Sequence, residues 1–179
     1  MAIFAKPGAG KTILSSFLID HHQPKQADGS PNNVFYFFCK NTDADKNNLT
    51  AIIHSLLYQL YKSPLDQGSH DSLSNDLGQA LDKSGPRRPV NFVTMWQLFS
   101  DHVGRTHSAL IVLNALDECQ DPQSLVQGLK SIVATGTVTV IATSRKEAHL
   151  DKEMGAGLAL EITPEDINAD IAAFAEAMV

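Results

Sequence analysis

The sequence predicts an α/β protein in which helices sandwich a mostly parallel sheet. Three observations predict it. Apolar runs of strand length, at 2–4, 34–39, 109–113, 137–142 and 158–162, alternate with stretches of helical period. These runs are short, and several are continuous and rich in aromatic or β-branched residues, which suits strands covered on both faces. A glycine loop, Ala5-Lys6-Pro7-Gly8-Ala9-Gly10-Lys11-Thr12, joins the first run to the first helical stretch.

Each element has its own signal. Ala2-Ile3-Phe4 reads as the first strand, and the helix after the loop is expected to bury Ile13, Leu14, Phe17 and Leu18. Residues 23–33 are polar and hold Pro24, Gly29 and Pro31, so they read as a loop. The run 34–39 reads as a strand buried on both faces. Leu49, Ile52, Ile53, Leu56, Leu57 and Leu60 mark a helix over 46–62, which Pro64 ends. The stretch 63–89 is polar and turn-rich, with a weak helix at Leu73, Leu77 and Leu81. Phe92, Met95, Trp96, Phe99 and Val103 mark another amphipathic helix. Asp121 caps a helix that has Pro122 in its first position and Leu125, Leu129, Ile132 and Val133 on one face. Thr163-Pro164 opens a last helix with Ile167, Ile171, Phe174 and Met178 on one face.

The 179 residues make one domain with a substantial core, and 43% apolar with 19% charged residues suits a folded chain. A net charge of −6 argues against a broad nucleic-acid footprint. Arg87-Arg88, between Pro86 and Pro89, reads as a solvated loop. Cys39 and Cys119 adjoin apolar runs and read as buried reduced thiols of a cytoplasmic protein. No run approaches the ~20 apolar residues that span a bilayer, so no membrane partner is expected. His21 and His22 are adjacent and point in different directions on a helix, so they do not suggest a metal site.

The loop fits the phosphate-binding pattern G-x-x-x-x-G-K-[ST], with Ala5 in place of its first glycine. Ala5 is tolerable there if its φ stays negative. Pro7, Gly8, Ala9, Gly10, Lys11 and Thr12 are the candidate cradle. Gly8 and Gly10 permit a tight turn that aims backbone N–H groups at a polyphosphate, and the helix N-terminus adds partial positive charge. Lys11 can reach the β- and γ-phosphates, and the Thr12 hydroxyl can ligate Mg²⁺.

Hydrolysis further needs a carboxylate at the end of a neighbouring strand and a group that positions water. The run 110–113 leads into Asn114-Ala115-Leu116-Asp117-Glu118, where such a strand end belongs. The next strand ends in Ala142-Thr143-Ser144-Arg145, and a cation there can report a γ-phosphate.

These pieces together resemble the nucleotide-binding module of fungal STAND NTPases, of the NACHT and nephrocystin-like N-terminal type. The matching stretches are Lys6-Pro7-Gly8-Ala9-Gly10-Lys11-Thr12, Phe37-Phe38-Cys39-Lys40, Leu56-Leu57-Tyr58-Gln59-Leu60, Ala115-Leu116-Asp117-Glu118-Cys119 and Thr143-Ser144-Arg145. The likeness extends through Asp170-Ile171, nearly end to end. It implies a three-layer P-loop NTPase sandwich with a five-stranded parallel sheet, occupying 1–179. It implies ATP or GTP with Mg²⁺, and a switch that acts through helical lid and repeat domains of a longer protein and through homo-oligomerisation. Lys11 and Thr12 then contact phosphate and Mg²⁺, Asp117 and Glu118 form the acidic hydrolytic pair, and Arg145 senses the γ-phosphate. Asn114 departs from the family, which usually has Asp there. Asn114 and Asp117 are the expected metal neighbours of Thr12, and the missing charge weakens metal retention and turnover.

Two other readings compete. A non-hydrolysing scaffold keeps the fold without turnover, and Asn114 favours it. A small-molecule kinase needs an Arg-rich lid, and 63–89 offers only Arg87 and Arg88.

Overall fold

The computed structural model describes residues 1–23, 33–63, 67–85, 89–106, 108–146 and 159–163, with 165, 166 and 168. The elements are β1 (Ala2–Ala5), α1 (Lys11–His22), β2 (Asn33–Phe38), α2 (Leu49–Lys62), α3 (Gln67–Ser84) and α4 (Phe92–Val103). There follow β3 (Ala109–Asn114), a 3-10 turn (Leu116–Glu118), α5 (Pro122–Val133), β4 (Val138–Ser144) and β5 (Ala159–Ile162). The strand order is β2-β3-β4-β1-β5, and every pairing is parallel. The predicted class is therefore the observed one. Arg87, Arg88 and the expected apolar face at Ile167, Ile171, Phe174 and Met178 lie outside the described residues.

Parallel strands need crossovers, and the crossovers decide which helix covers which face. The first one, through α1, carries the chain from β1 across β4 and β3 to β2, and α1 packs mainly on β3. On the opposite face Phe35, Phe37, Ile111, Leu113, Val138, Val140 and Ala142 share one core with residues of α2, α4 and α5. The caps explain several helix starts. Asn48, Asn91 and Asp121 each accept a hydrogen bond from the backbone N–H three residues on.

Four local expectations change. β2 is an edge strand, and Tyr36 is exposed, so this strand is not buried on both faces. The Gln59 side chain of α2 compensates: its Oε1 accepts from Tyr36 N and its Nε2 donates to Tyr36 O. That arrangement satisfies backbone groups of an edge that would otherwise invite pairing. In α1 the buried residues are Ser15 and Ile19, whereas Ile13 and Phe17 are 76% and 61% exposed. In α5 Val126 is buried and Val133 is exposed. α3 is an eighteen-residue helix in which Leu73 and Ala80 are buried and Leu81 is exposed.

Candidate functional site

Open α/β sheets bind ligands beyond the carboxyl ends of their strands. Here the ends of β1, β3 and β4 converge on a cavity of about 640 Å³. Its walls include Pro7, Gly8, Gly10, Lys11 and Thr12 from the loop, and Asn114, Asp117, Glu118 and Arg145 from the other strand ends. Lys40 and Lys46 complete the rim. Four cations and two carboxylates thus line one cavity in a chain of net charge −6.

The loop takes its shape from two glycines. Gly8 and Gly10 have φ of 80° and 75°, a region that side chains rarely adopt. A Cβ at either would meet nothing within 4 Å, so the constraint is conformational and the space above the backbone is open. Ala5 is the last residue of β1 and does not have positive φ, so its Cβ causes no strain. Lys11 Nζ donates to the carbonyls of Ala5 (2.8 Å) and Lys6 (2.9 Å), which ties the helix start back to the loop entry. An ammonium has three donors, so one remains for a ligand. Burial lowers the Lys11 pKa, Asp117 and Glu118 push it up, and Arg145 pushes it down.

Asn114 ends β3 and is buried. Its Oδ1 accepts from Thr143 Oγ1 (2.8 Å) and Ser15 Oγ (3.2 Å), and its Nδ2 donates to Thr12 Oγ1 (3.3 Å). One amide therefore joins α1, β3 and β4. The next residue, Ala115, has φ of 60°, the sole positive value for a non-glycine among the described residues. A left-handed alanine costs about 1–2 kcal/mol. The turn it makes leads directly to the acidic pair.

Asp117 accepts from Ser144 Oγ (3.2 Å) and Arg145 N (2.9 Å), and its Oδ2 lies 3.2 Å from Arg145 Nε. Glu118 accepts from Asn41 N (3.0 Å) and lies 3.7 Å from Arg145 Nη2. The structure thus brings Lys11, Thr12, Asn114, Asp117, Glu118 and Arg145 to one place. Lys46 carried no sequence signal, because its loop comes to the rim only by folding back: Lys40 N donates to Lys46 O. Ser15 was missed as well, since a serine inside a helix announces nothing.

Cys39 and Cys119 are free and buried. Burial is the main cause that pushes the Cys39 thiol up to about 12, so it stays a thiol at neutral pH. Among the described residues no group of three or more His, Cys, Asp and Glu is arranged to hold a metal ion. None of their helices is long and apolar enough to cross a membrane. A second cavity, of about 310 Å³, lies among Met1, Val126, Leu129, Val133 and Val140 and is lined mainly by apolar side chains.

Fold and site define an α/β sandwich of the P-loop type, a glycine loop and strand ends around one cavity. Within that class the chain belongs to the family described as Nephrocystin 3, N-terminal, whose model matches residues 1–145. It is 25% identical over 180 residues to the vegetative incompatibility protein HET-E-1 of Podospora anserina. That match covers 94% of this chain and 13% of the relative. The nephrocystin-like, NACHT-type resemblance is thereby borne out. Among solved structures, an ABC transporter ATP-binding protein from Pyrococcus furiosus aligns with a TM-score of 0.41 and 16% identity, over 90% of this chain and 82% of that one. The Aeropyrum pernix ORC1 protein, solved in complex with DNA, aligns with a TM-score of 0.37 and 14% identity, over 94% and 49%.

Proposed function

We propose that this chain is the nucleotide-binding switch module, for ATP or GTP, of a STAND-type signalling protein in the cytoplasm, with slow hydrolysis. The observation that carries this reading is the cradle itself. Gly8 and Gly10 leave open space above a left-handed backbone, and Lys11 is fixed at its edge with one donor to spare. Pro7 through Thr12 hold the β- and γ-phosphates, with Lys40 and Lys46 adding charge at the rim. Asp117 and Glu118 orient water, and Arg145 senses the γ-phosphate.

Magnesium, if bound beside Thr12, would supply positive charge against the phosphates. Of its three expected neighbours, Thr12 offers a hydroxyl, Asp117 is already engaged by Ser144 and Arg145, and Asn114 turns an NH₂ group toward Thr12. This donor set fits the ion poorly, and no step of the reading passes through it.

The chain spans 13% of HET-E-1, which supports placing it in a longer protein. Lid and repeat domains, and a homo-oligomer on activation, belong to that proposal. A binding role without turnover is the second reading, and the neutral Asn114 favours it. Phosphate release measured beside equilibrium binding separates the two.

The test of the main reading is titration with a fluorescent ATP analogue. Removing a charge-assisted contact costs roughly 1.5–3 kcal/mol, so Lys11→Ala is expected to weaken binding about ten- to a hundredfold. Its melting temperature should stay near that of the parent, because Lys11 lies outside the core cluster. Parental affinity in the variant contradicts the assignment.

A further inference from the structure

Asn114 is 5% exposed, and the two ends of its amide face different partners. The hydrogen-bond network fixes which end is the oxygen. Ala115 N donates to Thr143 Oγ1 at 3.1 Å and so takes up acceptor capacity there. The Thr143 hydroxyl then points its own hydrogen at Asn114, 2.8 Å away, and the atom it meets is Oδ1. Reversing the amide sets a second donor against Thr143 and strands the hydroxyl hydrogen at a fully buried residue. The Ser15 hydroxyl, also fully buried, donates to the same oxygen.

Thr12 therefore faces a donor. A carboxylate at 114 would accept the Thr12 hydroxyl hydrogen and leave the oxygen lone pairs for a cation. The Asn114 NH₂ group does the reverse and occupies a Thr12 lone pair. Among the described residues no carboxylate is hydrogen-bonded to Thr12. Asp117 is held by Ser144 Oγ, Arg145 N and Arg145 Nε, and Glu118 by Asn41 N. Cations, by contrast, are plentiful: Lys11, Lys40, Lys46 and Arg145 line the same cavity.

We propose that Asn114 makes nucleotide binding by this chain independent of Mg²⁺, because its NH₂ group engages the Thr12 hydroxyl and side-chain cations balance the polyphosphate instead. The inference rests on the nucleotide reading above. It adds that the metal contributes nothing to affinity, and it makes residue 114 the determinant.

Calorimetric titration of the whole chain with ADP, in MgCl₂ and in excess EDTA, tests it. The parent is expected to bind with dissociation constants that differ by less than about threefold between the two media. Asn114→Asp, which supplies the carboxylate a hard cation prefers, is expected to bind at least ~tenfold more tightly in MgCl₂ than in EDTA. Thr12→Val is a second probe that leaves the Asn114 backbone position untouched. It should lose affinity equally in both media. A parent that weakens about tenfold or more in EDTA overturns the inference alone, as does a larger Thr12→Val loss in MgCl₂. A folded Asn114→Asp chain indifferent to MgCl₂ overturns the assignment to Asn114. No binding in either medium overturns the nucleotide reading and this inference together.

Discussion

Arg145 is held by charge at a place where charge can be outbid. Its side chain is half exposed, with Nε 3.2 Å from Asp117 and Nη2 3.7 Å from Glu118. The guanidinium is the water-facing half of the pair with Asp117, and on a phosphate it can form two parallel hydrogen bonds. The buried Asp117 keeps one donor when the guanidinium leaves, the Arg145 backbone N–H at 2.9 Å. A γ-phosphate can therefore compete with Asp117 and Glu118 for the exposed guanidinium. Arg145→Ala is expected to weaken ATP binding by roughly tenfold and ADP binding by less than about threefold. Calorimetry with both nucleotides checks this, and equal losses would leave Arg145 a general electrostatic residue.

The helices show where pattern and function pull apart. The apolar residues of α1 suggest a face at Ile13, Leu14, Phe17 and Leu18, yet only Leu14 and Leu18 of these are half-buried, and the buried residues are Ser15 and Ile19. Lys11, Ser15 and Ile19 follow one another at steps of four, so they share a face. The loop fixes Lys11 against the Ala5 and Lys6 carbonyls, and Ser15 must then meet Asn114. Phe17, about 200° further round than Ser15, is turned outward and stacks on His21. Site geometry overrode hydrophobic period here. In α3 the helical pitch decides which residues are buried. Leucines at steps of four drift ~40° per step on a 3.6-residue helix, so Leu81 leaves the face and Ala80 takes its place. α4 and α5 meet through Gly128, where an added Cβ would lie 2.5 Å from Trp96 Cε2 and 2.8 Å from Nε1. A rigid indole cannot yield as a flexible chain end can. Gly128→Ala is thus expected to lose up to about 3 kcal/mol by overpacking, which outweighs the ~1 kcal/mol that alanine gains in helix propensity. Urea unfolding measures the difference. A neutral or stabilised variant would mean that Trp96 repacks freely.

At the scale of the molecule, the parallel sheet and its five strands were legible, because each strand is a short apolar run bounded by turn residues. The glycine loop was legible because its conformation restricts residue choice: Gly8 and Gly10 both need positive φ. The direction of the Asn114 amide was not. It depends on Ala115 N reaching Thr143, a contact between residues 28 apart in the chain. The exposed edge at Tyr36 was equally hidden, since strand order is a property of crossovers and not of any one strand. Hydrogen–deuterium exchange of backbone amides, with and without ATP, tests the central assignment most directly. Slower exchange is expected at 8–12, where N–H groups close on phosphate, and at 144–146, with α3 unchanged. Unaltered exchange at 8–12, with protection instead around the apolar cavity between Met1 and α5, would contradict it.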